Sequence, residues 1–170
     1  MTSIILNFIK IFFMLFLINS FGYSTSFEQN GVKEGNVKFS AGLYSTQSSD
    51  EFDTFGFNTQ LGYLLSDKVE ILLGLDVDTQ RNELYYTLSP GISYYFYKTP
   101  ITTSYVGLKL YYWNTSNEYI QEQKGNTFYL GTDFFISENV AITPEAGVNY
   151  LDFKSKKNTY FNTFLTYFFN

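Results

Sequence analysis

The chain has 170 residues, of which 21% are aromatic and only 16% charged; it has a net charge of −5 and contains neither Cys nor His. That length suits one domain, and so many rings beside so few charges make a poor water-facing surface. The acidic balance offers no basic patch to neutralise phosphates, which excludes nucleic acid as a partner, and the missing Cys excludes both a disulfide framework and a lipid-modified cysteine.

In chain order, the first segment is "MTSIILNFIKIFFMLFLINSFGYS". Lys10 precedes the apolar run Ile11 to Ile18, and the small residues Ser20, Gly22 and Ser24 follow. This predicts a helical signal peptide over 1–24, the apolar run being short for a stable membrane span. An uncleaved N-terminal anchor is the alternative. Residues 25–35 read as a polar lead-in, and 36–170 as the folded domain.

From Asn36 the chain reads as strand after strand, with no helical periodicity. Eight strands are expected, at 36–45, 55–65, 69–80, 84–97, 102–114, 127–136, 140–153 and 159–169. The connections "SDK", "KTPI" and "SEN" are short, whereas "STQSSDEFD" and "NTSNEYIQEQKGN" are long and polar, with "TQRNE" and "DFKSKKN" between these extremes. Short turns at one end and longer loops at the other, joined by segments of membrane-crossing length, predict an eight-stranded antiparallel up-and-down transmembrane β-barrel.

Alternation sorts each strand into two faces. The outward set is aliphatic in its middle, with Leu73, Leu88, Val106, Leu108 and Leu130, and aromatic toward its ends. Phe55, Phe57, Tyr86, Tyr112, Phe128, Tyr150 and Phe161 lie toward the loops, and Tyr63, Tyr94, Phe96, Phe134, Tyr167 and Phe169 toward the turns. Two aromatic girdles around an aliphatic band are what a lipid bilayer selects and a soluble core does not.

The opposite face carries Gly42, Gly62, Gly74, Gly91, Gly107, Gly131 and Gly147 among Lys38, Glu70, Asp76, Lys109, Asp133 and Glu145. An eight-stranded interior is only wide enough for its own side chains, so these charges are expected to form a paired lumen network, with Tyr44, Tyr85, Tyr111, Tyr129 and Tyr160 adding bulk. Pro90 and Pro144 fall mid-strand on the outward face, where a closed barrel has no edge to excuse a missing N–H. A bulge or a ladder gap is expected at each; true strand breaks, with a lower strand count, are the alternative.

"LGYLLSDKVEILLGLDVD", "ISENVAITPEAGVNY" and the closing "FNTFLTYFF" resemble the outer-membrane β-barrel domain family of the OmpA, OmpX and opacity-protein type, from Gly35 to the C-terminus. The resemblance implies a small barrel in a Gram-negative outer membrane, with structural, adhesive or host-interacting roles. It also implies outer-membrane lipid, lipopolysaccharide and the barrel-assembly machinery as partners. The family ends in an aromatic residue read by that machinery; here Phe169 is penultimate and Asn170 follows.

Without His, a Ser-His nucleophile is closed to this chain. Glu145 or Asp133 could serve as a base, but lumen carboxylates beside Lys38 and Lys109 pair more readily than they catalyse. With neither His nor Cys, the acids of "SSDEFD" form at best a weak oxygen site and read better as a solvated loop. No catalytic residue, cofactor or metal is therefore expected. The leading reading is a monomeric, non-enzymatic outer-membrane barrel, its termini in the periplasm and its loops serving a structural role or binding a surface ligand. The alternatives are a narrow channel for small or hydrophobic solutes and a secreted soluble ligand-binding barrel.

Overall fold

The computed structural model describes residues 30–47, 53–80, 83–115, 123–151 and 157–169. The segment expected to be a signal peptide and the tips of the long loops lie outside these. Eight antiparallel strands close into a barrel in chain order: β1 (Val37–Gln47), β2 (Asp53–Ser66), β3 (Val69–Gln80), β4 (Glu83–Lys98), β5 (Thr102–Thr115), β6 (Gln123–Phe135), β7 (Val140–Leu151) and β8 (Lys157–Phe169).

Several strands run further into the loop end than the alternation suggested, β1, β2 and β6 most clearly, whereas β3 ends at Gln80 as expected and β7 at Leu151, short of the expected 153. Gln47 pairs with Asp53, and Trp113 with Gln123. Polar residues stand at both odd and even positions here, as in Ser45-Thr46-Gln47 and Gln123-Lys124-Gly125-Asn126, so the period-two signal fades while the backbone ladder continues. At the opposite end the hairpins are tight. Ser66 Oγ accepts from the N–H groups of Lys68 (3.3 Å) and Val69 (3.1 Å). Thr99 exchanges bonds with Thr102, and Ser137 N–H donates to Val140 O at 3.2 Å.

Each mid-strand proline leaves a one-sided ladder gap. Pro90 pairs with Leu73 on β3, but on the β5 side the ladder passes from Leu88↔Tyr112 straight to Gly91↔Lys109. Pro144 pairs with Thr163 on β8, while the β6 ladder jumps from Gly131↔Glu145 to Phe134↔Ile142. A residue with no N–H keeps one neighbour and forfeits the other, with no register change. The register shifts lie elsewhere, at Leu64/Ser66 and Tyr95/Tyr97, both beside short turns. The second bulge leaves both Phe96 and Tyr97 facing outward while Tyr95 stays buried.

The two faces differ as alternation requires. Leu61, Leu73, Leu88, Ile92, Val106, Leu110, Leu130 and Leu165 are exposed on the outside. Inside, at the turn end, lies a compact apolar plug of Leu64, Leu72, Phe135, Ala141 and Phe168, with the Phe135 and Phe168 rings 5.3 Å apart. Val32, fully buried, completes it from the segment before β1. That segment crosses the barrel mouth: Gly35 N–H donates to Leu64 O at 2.9 Å, Asn36 O accepts from Leu64 N–H at 3.0 Å, and Lys98 Nζ donates to Val32 O. Gly35 takes φ 86°, a left-handed value that suits glycine in this turn. Residues 30–35, read from sequence as part of a polar lead-in, thus contribute buried packing through Asn30, Gly31 and Val32.

Glycines on the inner face make room for rings. A Cβ at Gly107 would strike the Tyr129 phenol and sit 2.6 Å from Ile92 O, and one at Gly131 would strike the Tyr105 phenol. A Cβ at Gly74 would meet Ser89 at an ordinary 3.4 Å. Gly107→Ala is therefore expected to lose about 1–3 kcal/mol through overpacking, whereas Gly74→Ala should be close to silent. Urea titration of the two variants refolded in vesicles checks the contrast.

Candidate functional site

The lumen charges come from five strands and gather around two carboxylates. Asp133 is fully buried and lies 3.2 Å from Lys38 Nζ. It also accepts from the hydroxyls of Thr103 (3.0 Å) and Thr143 (2.7 Å). Asp133 and Thr143 face one another where the ladder beside Pro144 is interrupted, so a side-chain bond spans the gap in the backbone pairing. Because Thr143 gives its proton to Asp133, Thr166 must donate to Thr143 and Ser40 to Thr166, each at 2.8 Å. Lys38 also donates to Tyr95 Oη at 3.0 Å, and Tyr95 in turn donates to Glu70 at 2.8 Å. Glu70 is thereby joined to Lys38 through a phenol.

Glu145 forms the second centre. It accepts from Lys109 Nζ (2.8 Å), Tyr160 Oη (2.9 Å) and, at longer range, Tyr105 Oη (3.4 Å) and Gln60 Nε2 (3.5 Å). Tyr105 links the two centres: Lys38 Nζ lies 4.3 Å from its ring centroid while its hydroxyl reaches Glu145. Lys109 likewise lies over Tyr129, at 4.1 Å, whose hydroxyl bonds Ser93 at 2.8 Å. A buried ion survives only when paired and hydrogen-bonded on its remaining positions, and both carboxylates meet that condition. Asp76 stands apart, half-buried and in neither salt bridge among the described residues.

Of the tyrosines expected inside, Tyr85, Tyr111 and Tyr129 are buried and Tyr160 partly so; the Tyr44 side chain falls outside the described set. Sequence reasoning did not single out Tyr95 and Tyr105, which wire the network together. It also did not name Thr103, Thr143 and Thr166. Their odd or even parity puts them on the inner face, but only the folded register puts them beside Asp133.

Of the ring positions expected on the outside, Phe57, Tyr63, Tyr86, Tyr94, Phe96, Tyr112, Phe128, Phe161, Tyr167 and Phe169 are exposed, and Phe134 and Tyr150 are half-buried. The Phe55 side chain lies outside the described set. Phe128 meets Tyr150 edge to face at 6.0 Å, and Tyr167 meets Phe169 at 4.6 Å. An apolar outer surface around a packed polar interior inverts the arrangement of a soluble barrel and matches one built for lipid.

No protein-family model matches the sequence, and no curated protein matches it. Solved structures do. The N-terminal β-barrel domain of Pseudomonas aeruginosa OprF is similar over 80% of this chain and 98% of that one, with 19% identity and a TM-score of 0.64. The outer membrane protein OprG of the same organism covers 84% and 99%, with 13% identity and a TM-score of 0.55. Yersinia pestis outer membrane protein Ail, in a phospholipid nanodisc, covers 80% and 100%, with 16% identity and a TM-score of 0.55. At these identities the likeness is one of fold. That fold is the small, eight-stranded, antiparallel up-and-down barrel of outer-membrane proteins.

Proposed function

We propose that this protein is a non-enzymatic, integral barrel of a Gram-negative outer membrane. Its termini are in the periplasm, and it acts in envelope structure or surface interaction through its extracellular loops. The observation that carries the reading is the combination of an exposed apolar band with a lumen closed by side chains. Outside, aliphatic residues suit acyl chains, and the rings nearer the strand ends suit the two interfaces, including the lipopolysaccharide side. Inside, Phe135 and Phe168 stack over the turn end, and the Lys38–Asp133 and Lys109–Glu145 pairs with their tyrosines occupy the middle. The chain enters and leaves at the turn end, where Val37 pairs with Phe169. That supports a reading in which both ends lie in the periplasm, the side from which the barrel-assembly machinery works.

The absence of His from the whole chain removes the usual base for a serine nucleophile, and Glu145 and Asp133 are committed to Lys109 and Lys38. Planar-bilayer recording tests the reading. The wild-type protein should give little or no conductance, because an eight-stranded interior filled in this way has no continuous aqueous path. Large, stable channel events would favour a pore for small solutes instead.

A further inference from the structure

One rung of the barrel wall is left electrostatically incomplete. Across β1 to β4 it reads Gly42↔Asn58↔Asp76↔Thr87, each residue directly opposite the next. Alternation turns all four inward, since Val77 and Tyr86 occupy the outward positions beside them. Side chains directly opposed in an antiparallel ladder have Cβ atoms roughly 4.5–5.5 Å apart. An amide oxygen, a carboxylate and a hydroxyl therefore stand on adjacent strands within the reach of one small ion, and Phe164 packs against Gly42 at the end of the rung.

Two deficits coincide on this rung. Asn58 is only 6% exposed, and its Oδ1 is a buried acceptor without a hydrogen-bond donor among the described residues. Asp76, its neighbour, takes part in neither salt bridge. Of the four lumen acids, Asp133 and Glu145 hold the two lysines and Glu70 accepts from Tyr95. Glu70 and Asp76 are the two carboxylates in excess, and Asp76 is the one without a phenol donor among the described residues. A buried acceptor without a donor and, beside it, a carboxylate in neither salt bridge are satisfied together by a cation, which both oxygens can ligate.

We propose that Asn58 Oδ1, the Asp76 carboxylate and Thr87 Oγ1 form a lumen site for a hard, oxygen-seeking metal cation such as Ca²⁺ or Na⁺. No three Asp, Glu, His or Cys side chains gather as a metal cluster among the described residues. The donor set is one carboxylate with neutral oxygens, which suits a hard cation bound weakly rather than a tightly held transition metal. The site neutralises the surplus acid and ties β2, β3 and β4 together from within.

The test uses the full protein refolded in detergent, stripped of metal by a chelator and held in tetramethylammonium chloride. Adding CaCl₂ or NaCl at constant ionic strength should raise the thermal unfolding midpoint by a few degrees once the cation exceeds its Kd. The two salts, run as separate arms, identify the preferred ion. Asp76→Asn and Asn58→Leu should each abolish the rise, whereas Asp50→Asn with Glu51→Gln, in the acidic loop sequence, should leave it intact. Terbium luminescence sensitised by the lumen tyrosines gives a second reading independent of stability, and Asp76→Asn should remove at least four-fifths of it. Equal midpoints in all salts, or terbium emission that survives Asp76→Asn and falls with Asp50→Asn and Glu51→Gln, would overturn the proposal. Asp76 and Asn58 would then share a proton or a water instead.

Discussion

Arginine in place of Leu73 or Leu108 is expected to cost about 2–4 kcal/mol of folding free energy in a bilayer, the penalty for a cation at mid-depth on the lipid side of a barrel. Both leucines are outward and sit in the middle of their strands, β3 and β5, on the aliphatic stretch between the rings. Leu73 is paired with Leu61 on one side and Pro90 on the other, so no polar side chain stands beside it on this face. Glu138→Gln, at an exposed position in the tight turn between β6 and β7, should change stability by less than 0.5 kcal/mol, as surface substitutions generally do. Urea titration in phospholipid vesicles measures all three. If the arginines were as mild as Glu138→Gln, the outward face would not be meeting hydrocarbon.

Lys109→Ala is the second large effect. It removes the partner 2.8 Å from Glu145 while leaving that carboxylate almost fully buried. Stranding one member of a buried pair costs about 3–5 kcal/mol. Tyr160 and Tyr105 can still donate to Glu145, which softens the loss without replacing the charge. The double variant Lys109→Ala, Glu145→Gln removes both charges and should recover a substantial part of the stability. That recovery separates charge stranding from the lost contact of the Lys109 ammonium with the Tyr129 ring. A double variant no more stable than the single would show that the ring contact dominates.

Much of this barrel could be read from the chain because a membrane imposes period two on strands with unusual strictness. Leu61 to Asp78 already gave a hairpin broken at Ser66-Asp67-Lys68; Asp67 and Lys68 form the turn, and Ser66 is the last residue of β2. Alternation put Lys38, Glu70, Asp76, Lys109, Asp133 and Glu145 on one face; all but the half-buried Asp76 are buried. The ladder gaps beside Pro90 and Pro144 followed from the missing N–H.

What alternation could not supply was anything set by register between strands. Lys38 and Asp133 are 95 residues apart, and which carboxylate meets which lysine depends on how eight strands are staggered. The same is true of Tyr95 and Tyr105, whose parity was visible but whose position between the two charge centres was not. The bulge at Tyr95/Tyr97 hid a second failure of simple alternation, because it resets the outward face over one residue. The mouth segment was hidden differently. "NGVKEG" is polar by composition, yet its single apolar residue, Val32, is the one that closes the plug.

The central claim is that the exposed apolar band of this barrel is a lipid-facing surface. Refolding tests it most directly: the protein is transferred from urea either into detergent-free buffer or into phospholipid vesicles, then followed by size exclusion and by gel migration without heating. The account predicts aggregation in buffer, and in vesicles a protease-protected species whose unheated migration differs from its heated migration. A monodisperse, folded monomer in detergent-free buffer would contradict it.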